Sequence, residues 1–274
     1  MRSLTKVPNK TLELLLWERN NHGSVLSQEN RKTFLDVFKP DVVLHLAWQS
    51  TSDLYYELDP AHEEWATATS DFASECVHRN IWFIAAGSAI DEQYDSSVSH
   101  LGSSDYLKSK RRLRRHFKSL MQYTSRLTWL QIQYVFSMSE LRPRVLRAVM
   151  TSKDPNSFSP DSPDSMHDFI HIDDVATAIS RVVLSSATGE ISVGTGCLIK
   201  TKDFVEIVKY HAGFRQTRPD VNLRRTDVFG SILRDLNWLP VESLKFLGQV
   251  IEEQRFRSAS QETQLEVSVQ KQLD

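Results

Sequence analysis

Residues 41–47 read DVVLHLA, a short apolar run rich in branched side chains. A run that is apolar at nearly every position is typical of a strand buried in a parallel sheet. A segment with helical spacing follows at 62–79, and the apolar runs 81–86 (IWFIAA) and 127–132 flank a further helix that begins near Tyr106. This alternation of strands and helices predicts an α/β fold, a Rossmann-like doubly wound parallel sheet.

Beyond residue 135 the alternation weakens, and a stretch rich in Pro, Ser and Asp at 154–165 predicts an exposed loop. We therefore expect a Rossmann-like part over 1–135 and a smaller α/β C-terminal lobe over 136–253, with 168–185 packing back on the first part. Patterns within the lobe predict helices at 144–151, 173–185, 201–211 (with Thr201 as N-cap), 227–236 and 241–253, and strands at 168–172 and 190–193. The polar residues 254–274 are expected to be disordered, or to become ordered only with a partner.

The composition argues against several classes of protein. The 274 residues carry 33 Lys and Arg against 35 Asp and Glu, a formal net charge of −2. A nucleic-acid-coating protein normally has an excess of basic residues, which this chain lacks. The apolar runs are too short to cross a bilayer. The N-terminus does not resemble a secretory signal, so a cytoplasmic protein is expected. Cys76 and Cys197 are too few for a disulfide framework and are predicted to be buried and reduced.

Tyr106 and Lys110 are the main candidates for chemistry. They lie four positions apart on a predicted helix, so their side chains point the same way. A nearby ammonium favours the phenolate and lowers a tyrosine pKa, which suits proton exchange with a substrate oxygen. The same spacing also occurs on solvated helix faces. Here, however, Lys110 continues an apolar stripe with Leu113 and Phe117, so it is predicted to point inward.

The sequence evidence for a functional role is weaker for the other polar residues. Ser88 follows an apolar strand through Gly87, which places it at the sheet edge where α/β proteins bind ligands; a simple turn is the alternative. Asp91 and Glu92 are adjacent and face apart, so a joint catalytic role is disfavoured. His45 interrupts a buried strand and is either a ligand contact or, more often for such a residue, a satisfied core histidine.

A group of acidic and imidazole side chains resembles a metal cluster but alternates across a strand and into a helix start: His167, Asp168, His171, Asp173 and Asp174. We therefore predict no metal site there. Asp173 or Asp174 is better interpreted as a helix N-cap.

The order of several segments identifies a family resemblance. They are KPDVVLHLAW (39–48), AAGSA (85–89), YLKSK (106–110), HDFIHIDDVATAI (167–179), ISVGTG (191–196) and LNWLP (236–240). Together they resemble an extended short-chain dehydrogenase/reductase of the NAD-dependent epimerase/dehydratase family, over roughly residues 20–253. The resemblance implies that the part over 1–135 binds NAD or NADP as cofactor and that the lobe over 136–253 is mainly a substrate lobe for a nucleotide-linked sugar. It also implies a possible homodimer. It implies neither a nucleic-acid nor a membrane partner.

The resemblance also implies roles for individual residues. Tyr106 would be the general acid/base, Lys110 would lower its pKa and hold the nicotinamide ribose, and Ser88 would hydrogen-bond the reacting sugar oxygen. The other implied cofactor contacts are His45, Leu46, Ala47, Ala86 and Gly87, and the other implied substrate contacts are Tyr134, Arg144 and Arg147. A surface position is the alternative for the two arginines.

One departure from the family is large. Its members normally open with a strand and a G-x-x-G-x-x-G turn that lets the backbone approach a pyrophosphate, whereas the first glycine here is Gly23. Residues 1–26 resemble the family's second-strand region, so the chain is expected to lack roughly 20–30 residues of the opening unit. Two alternatives to an enzyme follow: a non-catalytic Rossmann-fold binding or regulatory subunit, or an N-terminally truncated form of the enzyme.

Overall fold

A computed structural model describes residues 13–48, 59–89, 104–137, 145–217, 223–225 and 231–247, with Pro219 and Val221 as single positions. The chain divides into two compact units. The first comprises Met1–Gln133, Ala176–Val193 and Gly230–Trp238, and the second comprises Tyr134–Val175, Gly194–Phe229 and Leu239–Asp274. Each unit is therefore assembled from segments that are separate in the sequence.

The described helices and strands are numbered here in chain order. The helices are α1 (Arg19–His22), α2 (Gln28–Phe38), α3 (Ala61–His78), α4 (Asp105–Met121), α5 (Val145–Thr151), α6 (Ile172–Ser185), α7 (Thr201–His211), α8 (Ser231–Asp235) and α9 (Val241–Leu247). The strands are β1 (Val42–His45), β2 (Trp82–Ala86), β3 (Leu127–Ile132), β4 (Tyr134–Phe136), β5 (Met166–His171), β6 (Gly189–Val193), β7 (Cys197–Lys200) and β8 (Leu223–Arg225). None of these described helices is long and apolar enough to span a membrane.

The first unit contains a parallel sheet in the order β1-β2-β3-β6. Its registers pair His45 with Ala85 and Ala86 with Leu130. Parallel neighbours need crossover connections, and α3 and α4 supply helices in these connections. The predicted α/β class and parallel sheet are confirmed, and the strand at 127–132 has the predicted bounds.

The outer strand β1 is less buried than its apolar sequence predicts. Leu44 is 36% exposed, whereas Phe83 and Ile84 of β2 are fully buried. Within the described residues β1 pairs with a strand on one side only, and that strand is β2. Apolar composition alone does not distinguish such a strand from a central one, because both consist of branched side chains.

Helices α3 and α4 bury one face each. On α3 the buried face includes Thr69, Phe72 and Cys76, as the helical spacing predicts. On α4 the buried residues include Tyr106, Lys110, Leu113 and Phe117, while the basic side chains between them are more exposed. The first-unit core consists of Leu35, Ala66, Phe72, Ala73, Cys76, Ile81, Phe83, Ala85, Leu113, Phe117, Leu127 and Trp129.

Strand β6 lies elsewhere than the sequence pattern suggests. Its residues were expected within the smaller lobe, but β6 pairs in parallel with β3, matching Leu130 with Ile191 and Ile132 with Val193. The pairing completes the described sheet of the first unit. The local pattern of residues 190–193 predicts a strand correctly but carries no information about its partner.

The second unit contains a mixed sheet, β4-β5-β7-β8, in which only β4 and β5 are parallel. Its core combines aliphatic side chains with phenylalanines, and the rings of Phe169 and Phe204 stack with centroids 3.8 Å apart. Helix α7 buries Phe204, Ile207 and Val208, as predicted. The N-cap prediction for Thr201 is wrong, because Lys200 holds that position and the Thr201 hydroxyl hydrogen-bonds Ser165 instead. The predicted disordered segment 254–274 lies outside the described residues.

Candidate functional site

The sheet edge where β1 and β2 end carries most of the predicted site residues. His45 ends β1 and Ala86 ends β2. Because the two strands are parallel neighbours, the residues that follow them emerge at the same edge. Leu46 and Ala47 are exposed there, and Gly87 and Ser88 are half-buried.

Gly87 is required by its neighbour Trp129. Its backbone N–H donates to the carbonyl oxygen of Leu130 at 2.7 Å, which continues the β2–β3 ladder. A Cβ atom at this position would lie 2.3 Å from the Trp129 ring. The reason for glycine is therefore a close approach between backbone and ring. The alternative prediction, a turn with unusual dihedral angles, finds no support, since Gly87 is not among the residues with positive φ.

Helix α4 brings Tyr106 and Lys110 to this edge. Both side chains are buried, with residue exposures of 5% and 4%. The Lys110 Nζ donates to the carbonyl oxygen of Ala86 at 3.1 Å and lies 6.0 Å from the centroid of the Tyr106 ring. The prediction that Lys110 points inward is confirmed. The tyrosine, the ammonium and the end of β2 are therefore held together within one unit.

Two further residues, Trp48 beside the ammonium and His62 beside Trp48, were not singled out from the sequence. The Lys110 Nζ lies 3.5 Å from the centroid of the Trp48 ring. The Trp48 Nε1–H donates to Nδ1 of His62 at 3.2 Å, and His62 is fully buried. The His62 ring centroid lies 5.4 Å from that of Tyr106. The sequence signal that was available for Trp48 is its position directly after the predicted strand 41–47, within the quoted segment KPDVVLHLAW.

His45 is a buried, neutral imidazole. Its Nε2 lies 3.1 Å from the Thr69 hydroxyl, and that hydroxyl donates its single proton to the Trp65 carbonyl. The imidazole must therefore be the donor, so the proton lies on Nε2. Burial, together with the positive charges of Lys110 and Arg31, lowers the pKa of His45 to about 3. The structure thus gives this histidine the features of a satisfied core residue at the edge of the site.

Of the described substrate contacts that were predicted, Ser88 lies in the first unit, whereas Tyr134 and Arg147 belong to the second. Tyr134 begins β4, and its ring packs on the His167 imidazole with centroids 3.9 Å apart. Burial lowers the pKa of His167 to about 4. Arg147 is half-buried on α5. Arg144, like the disfavoured pair Asp91 and Glu92, lies outside the described residues.

Two aspartates of the group at 167–174 that resembles a metal cluster have structural hydrogen-bond partners instead. Asp168 accepts hydrogen bonds from the backbone and hydroxyl of Thr195 and from the Gly196 backbone. Its burial raises the pKa to about 6, although these hydrogen bonds act in the opposite direction. Asp174 accepts from the backbone N–H groups of Glu242 and Ser243. Within the described part of the chain no group of His, Cys, Asp or Glu side chains could hold a metal ion.

Comparison with known proteins gives a family match over most of the chain. The model of the NAD dependent epimerase/dehydratase family matches residues 2–194. A search of curated protein sequences gave no significant match.

Solved structures share the fold at low sequence identity. The UDP-glucose 4-epimerase of Thermotoga maritima, solved with UDP-glucose, is 17% identical with a TM-score of 0.61, over 86% of this chain and 83% of that one. The Thermus thermophilus UDP-glucose 4-epimerase, solved with NAD, is 18% identical with a TM-score of 0.59, over 80% and 79%. A Campylobacter jejuni GDP-D-glycero-L-gluco-heptose synthase, solved in the presence of NADPH, is 15% identical with a TM-score of 0.60, over 82% and 85%.

Proposed function

The chain belongs to the NAD-dependent epimerase/dehydratase family, and from that premise we propose that it is an NAD(P)-dependent oxidoreductase or epimerase acting on a nucleotide-linked sugar. Similar structures include sugar-nucleotide epimerases solved with NAD or with UDP-glucose. The observation that carries the proposal is the buried Tyr106–Lys110 pair, whose ammonium is tied to the end of β2.

The residues at this edge fit the nicotinamide half of such a cofactor. Lys110 offers an ammonium, which donates only, to ribose hydroxyl oxygens, and its contact with Ala86 keeps it at the carboxyl end of β2. This edge is where open α/β sheets bind ligands. Ser88, Ala86 and Gly87 are proposed to lie beside the nicotinamide and the reacting sugar, and His45, Leu46 and Ala47 beside the remainder of the cofactor.

The proposed chemistry is proton transfer by the chain coupled to hydride transfer. A nicotinamide cofactor held at this edge would supply the hydride acceptor or donor for the sugar carbon. Tyr106 removes a proton from the substrate hydroxyl oxygen as that carbon is oxidised and returns it in the reverse direction. The positive charge of Lys110 favours the phenolate, and Ser88 donates a hydrogen bond to the same substrate oxygen. Tyr134, Arg144 and Arg147 are proposed to contact the nucleotide-sugar, since arginine forks match phosphate oxygens.

The first test is cofactor binding by the full chain. Titration with NADH and NADPH, followed by nicotinamide fluorescence and by thermal unfolding, should show saturable binding and a rise in Tm, because a ligand that binds only the native state stabilises it. Absence of binding to either dinucleotide would count against the enzyme and favour a binding or regulatory subunit.

The second test replaces Tyr106. The Tyr106→Phe variant should lose on the order of 10²–10⁴ in turnover of the nucleotide-sugar that proves to be a substrate, since it loses the proton transfer. The exposed Tyr123, two residues beyond α4, provides the matched control, and Tyr123→Phe should keep full activity. Unfolding curves of both variants should overlay the parent curve. Undiminished turnover in Tyr106→Phe would remove the tyrosine from the mechanism.

Two broader expectations stay predictions. A cytoplasmic location was expected from the sequence, and so was a possible homodimer. Light scattering of the purified chain tests the homodimer directly.

A further inference from the structure

The indole of Trp48 covers the charged end of Lys110. The Nζ atom lies 3.5 Å from the ring centroid, well inside the range over which a cation is attracted to an aromatic face. On another side, the same Nζ donates to the Ala86 carbonyl oxygen at 3.1 Å. The ammonium is therefore held between the end of β2 and a residue just beyond the end of β1.

The indole is itself fixed by a second contact. Its Nε1–H donates to Nδ1 of His62 at 3.2 Å, and the two ring planes are inclined by only 13°. His62 lies in the first turn of α3 and is fully buried, so packing restricts its position. An indole that is anchored at one edge cannot rotate away from Lys110 without breaking this hydrogen bond.

We propose that Trp48 is a positioning residue for the candidate active site: its face holds the Lys110 ammonium against the Ala86 carbonyl, and His62 holds the indole. This inference rests on the proposed function, in which Lys110 binds the nicotinamide ribose and assists Tyr106. A lysine ammonium on a flexible four-carbon stem needs such a restraint, because its rotamers otherwise spread the charge over several positions.

Three variants separate the parts of this arrangement. Trp48→Leu removes the aromatic face, whereas Trp48→Phe keeps a face and loses only the hydrogen bond to His62. Trp17→Leu is the matched control, because Trp17 is also a partly buried tryptophan of the first unit but packs on Phe34 and Phe72. All three are made in the full chain, and urea unfolding identifies any variant that is not folded.

The spectroscopic readout is independent of any ligand. In protein labelled with ¹³C-lysine, the ε-methylene signal of Lys110, assigned with Lys110→Arg, should be displaced upfield by the ring current of Trp48. The displacement should vanish in Trp48→Leu, persist in part in Trp48→Phe and remain unchanged in Trp17→Leu. An undisplaced signal in the parent chain, or a displaced one in Trp48→Leu, overturns the inference.

The binding readout tests the consequence for the site. Trp48→Leu should bind NADH or NADPH about tenfold more weakly, a loss of about 1.4 kcal/mol, and Trp48→Phe should restore part of the affinity. Unchanged affinity in Trp48→Leu contradicts the positioning role even if the signal moves. If the parent chain binds neither dinucleotide, the proposed function fails, and the lysine signal alone then decides whether Trp48 holds Lys110.

Discussion

At the scale of single residues, the contact between Gly87 and Trp129 leads to a prediction about stability. An added methyl group would lie 2.3–2.6 Å from atoms of a fully buried ring. Gly87→Ala should therefore destabilise the protein by about 1–3 kcal/mol, the usual cost of overpacking. Urea unfolding measures the change.

A double-mutant cycle identifies the cause of that loss. Trp129→Phe removes the ring atoms nearest to the added methyl group, and among the described residues the Trp129 Nε1 has no hydrogen-bond partner to lose. Gly87→Ala should therefore cost less in the Trp129→Phe background than in the parent. Additive costs would show that the ring is not what excludes a side chain at position 87.

The buried imidazole of His45 predicts a dependence of stability on pH. Its pKa of about 3 in the folded chain lies below the ordinary 6.5, so the unfolded chain binds the proton first as pH falls. The contribution of His45 to the free energy of unfolding has its full value above about pH 6.5. It decreases progressively as the pH falls toward 3. Between pH 7 and pH 5 the loss should reach about 2 kcal/mol, at 1.36 kcal/mol per pKa unit.

His45→Gln isolates this contribution, since an amide donates to Thr69 without titrating. The difference in unfolding free energy between variant and parent should shift in favour of the variant at pH 5. The comparison is needed because His167 acts in the same direction, with a pKa lowered to about 4, whereas the raised pKa of Asp168 acts in the opposite one. A constant difference from pH 7 to pH 5 would mean that His45 is not held neutral.

The sequence predicts some of the site's residues and misses others for a physical reason. Lys110 is identifiable because a lysine interrupts an apolar stripe at helical spacing, and the structure buries it. Trp48 and His62 lie in segments where an aromatic residue is unremarkable by pattern. Their relation to Lys110 depends on contacts between β1, α3 and α4, which no local periodicity contains.

At the scale of secondary-structure elements, Asp174 stabilises a helix other than its own. Its carboxylate accepts hydrogen bonds from the backbone N–H groups of Glu242 and Ser243 in the first turn of α9, as the side chain of an N-cap residue would. Asp174→Ala should therefore cost about 2 kcal/mol of unfolding free energy, because it leaves these donors unpaired in a buried place. Chemical denaturation provides the measurement.

The neighbouring Asp173 is the control for this prediction. It occupies the same first turn of α6 and has the same charge, but its side chain is 72% exposed. Asp173→Ala should lose only the few tenths of a kcal/mol expected from the helix dipole. Equal losses for the two variants would attribute the effect to helix charge and not to capping of α9.

The prediction that Asp173 or Asp174 is the N-cap of its own helix is wrong, because α6 begins at Ile172 and both aspartates lie in its first turn. Asp174 instead accepts hydrogen bonds at the start of α9. An aspartate before an apolar helical pattern signals capping of that helix. The recipient of Asp174 lies near residue 242, and the sequence does not reveal that α9 begins beside it. The predicted strands have a similar limit: their positions follow from composition, whereas the pairing of β6 with β3 does not.

At the scale of the whole molecule, the first unit depends on residues that come late in the chain. Strand β6 and the segment Gly230–Trp238 belong to it, and both follow residues of the second unit in sequence. A fragment ending at residue 137 keeps β1, β2 and β3 but lacks β6. It should show no cooperative unfolding transition, because one side of β3 loses its partner strand.

Circular dichroism during urea titration of this fragment and of the full chain makes the comparison. The full chain should give a sigmoidal transition, and the fragment should give a gradual slope. A sigmoidal transition in the fragment would mean that the three N-terminal strands form a stable sheet without β6.

The same interleaving affects how the protein is made. On the ribosome, β1, β2 and β3 emerge well before β6, and the intervening residues take on the order of several seconds to synthesise at typical rates. During that interval one edge of β3, a largely apolar strand that is buried in the folded protein, has no partner. The nascent chain is therefore most prone to aggregation in this interval, when chaperones that bind apolar segments have their greatest effect.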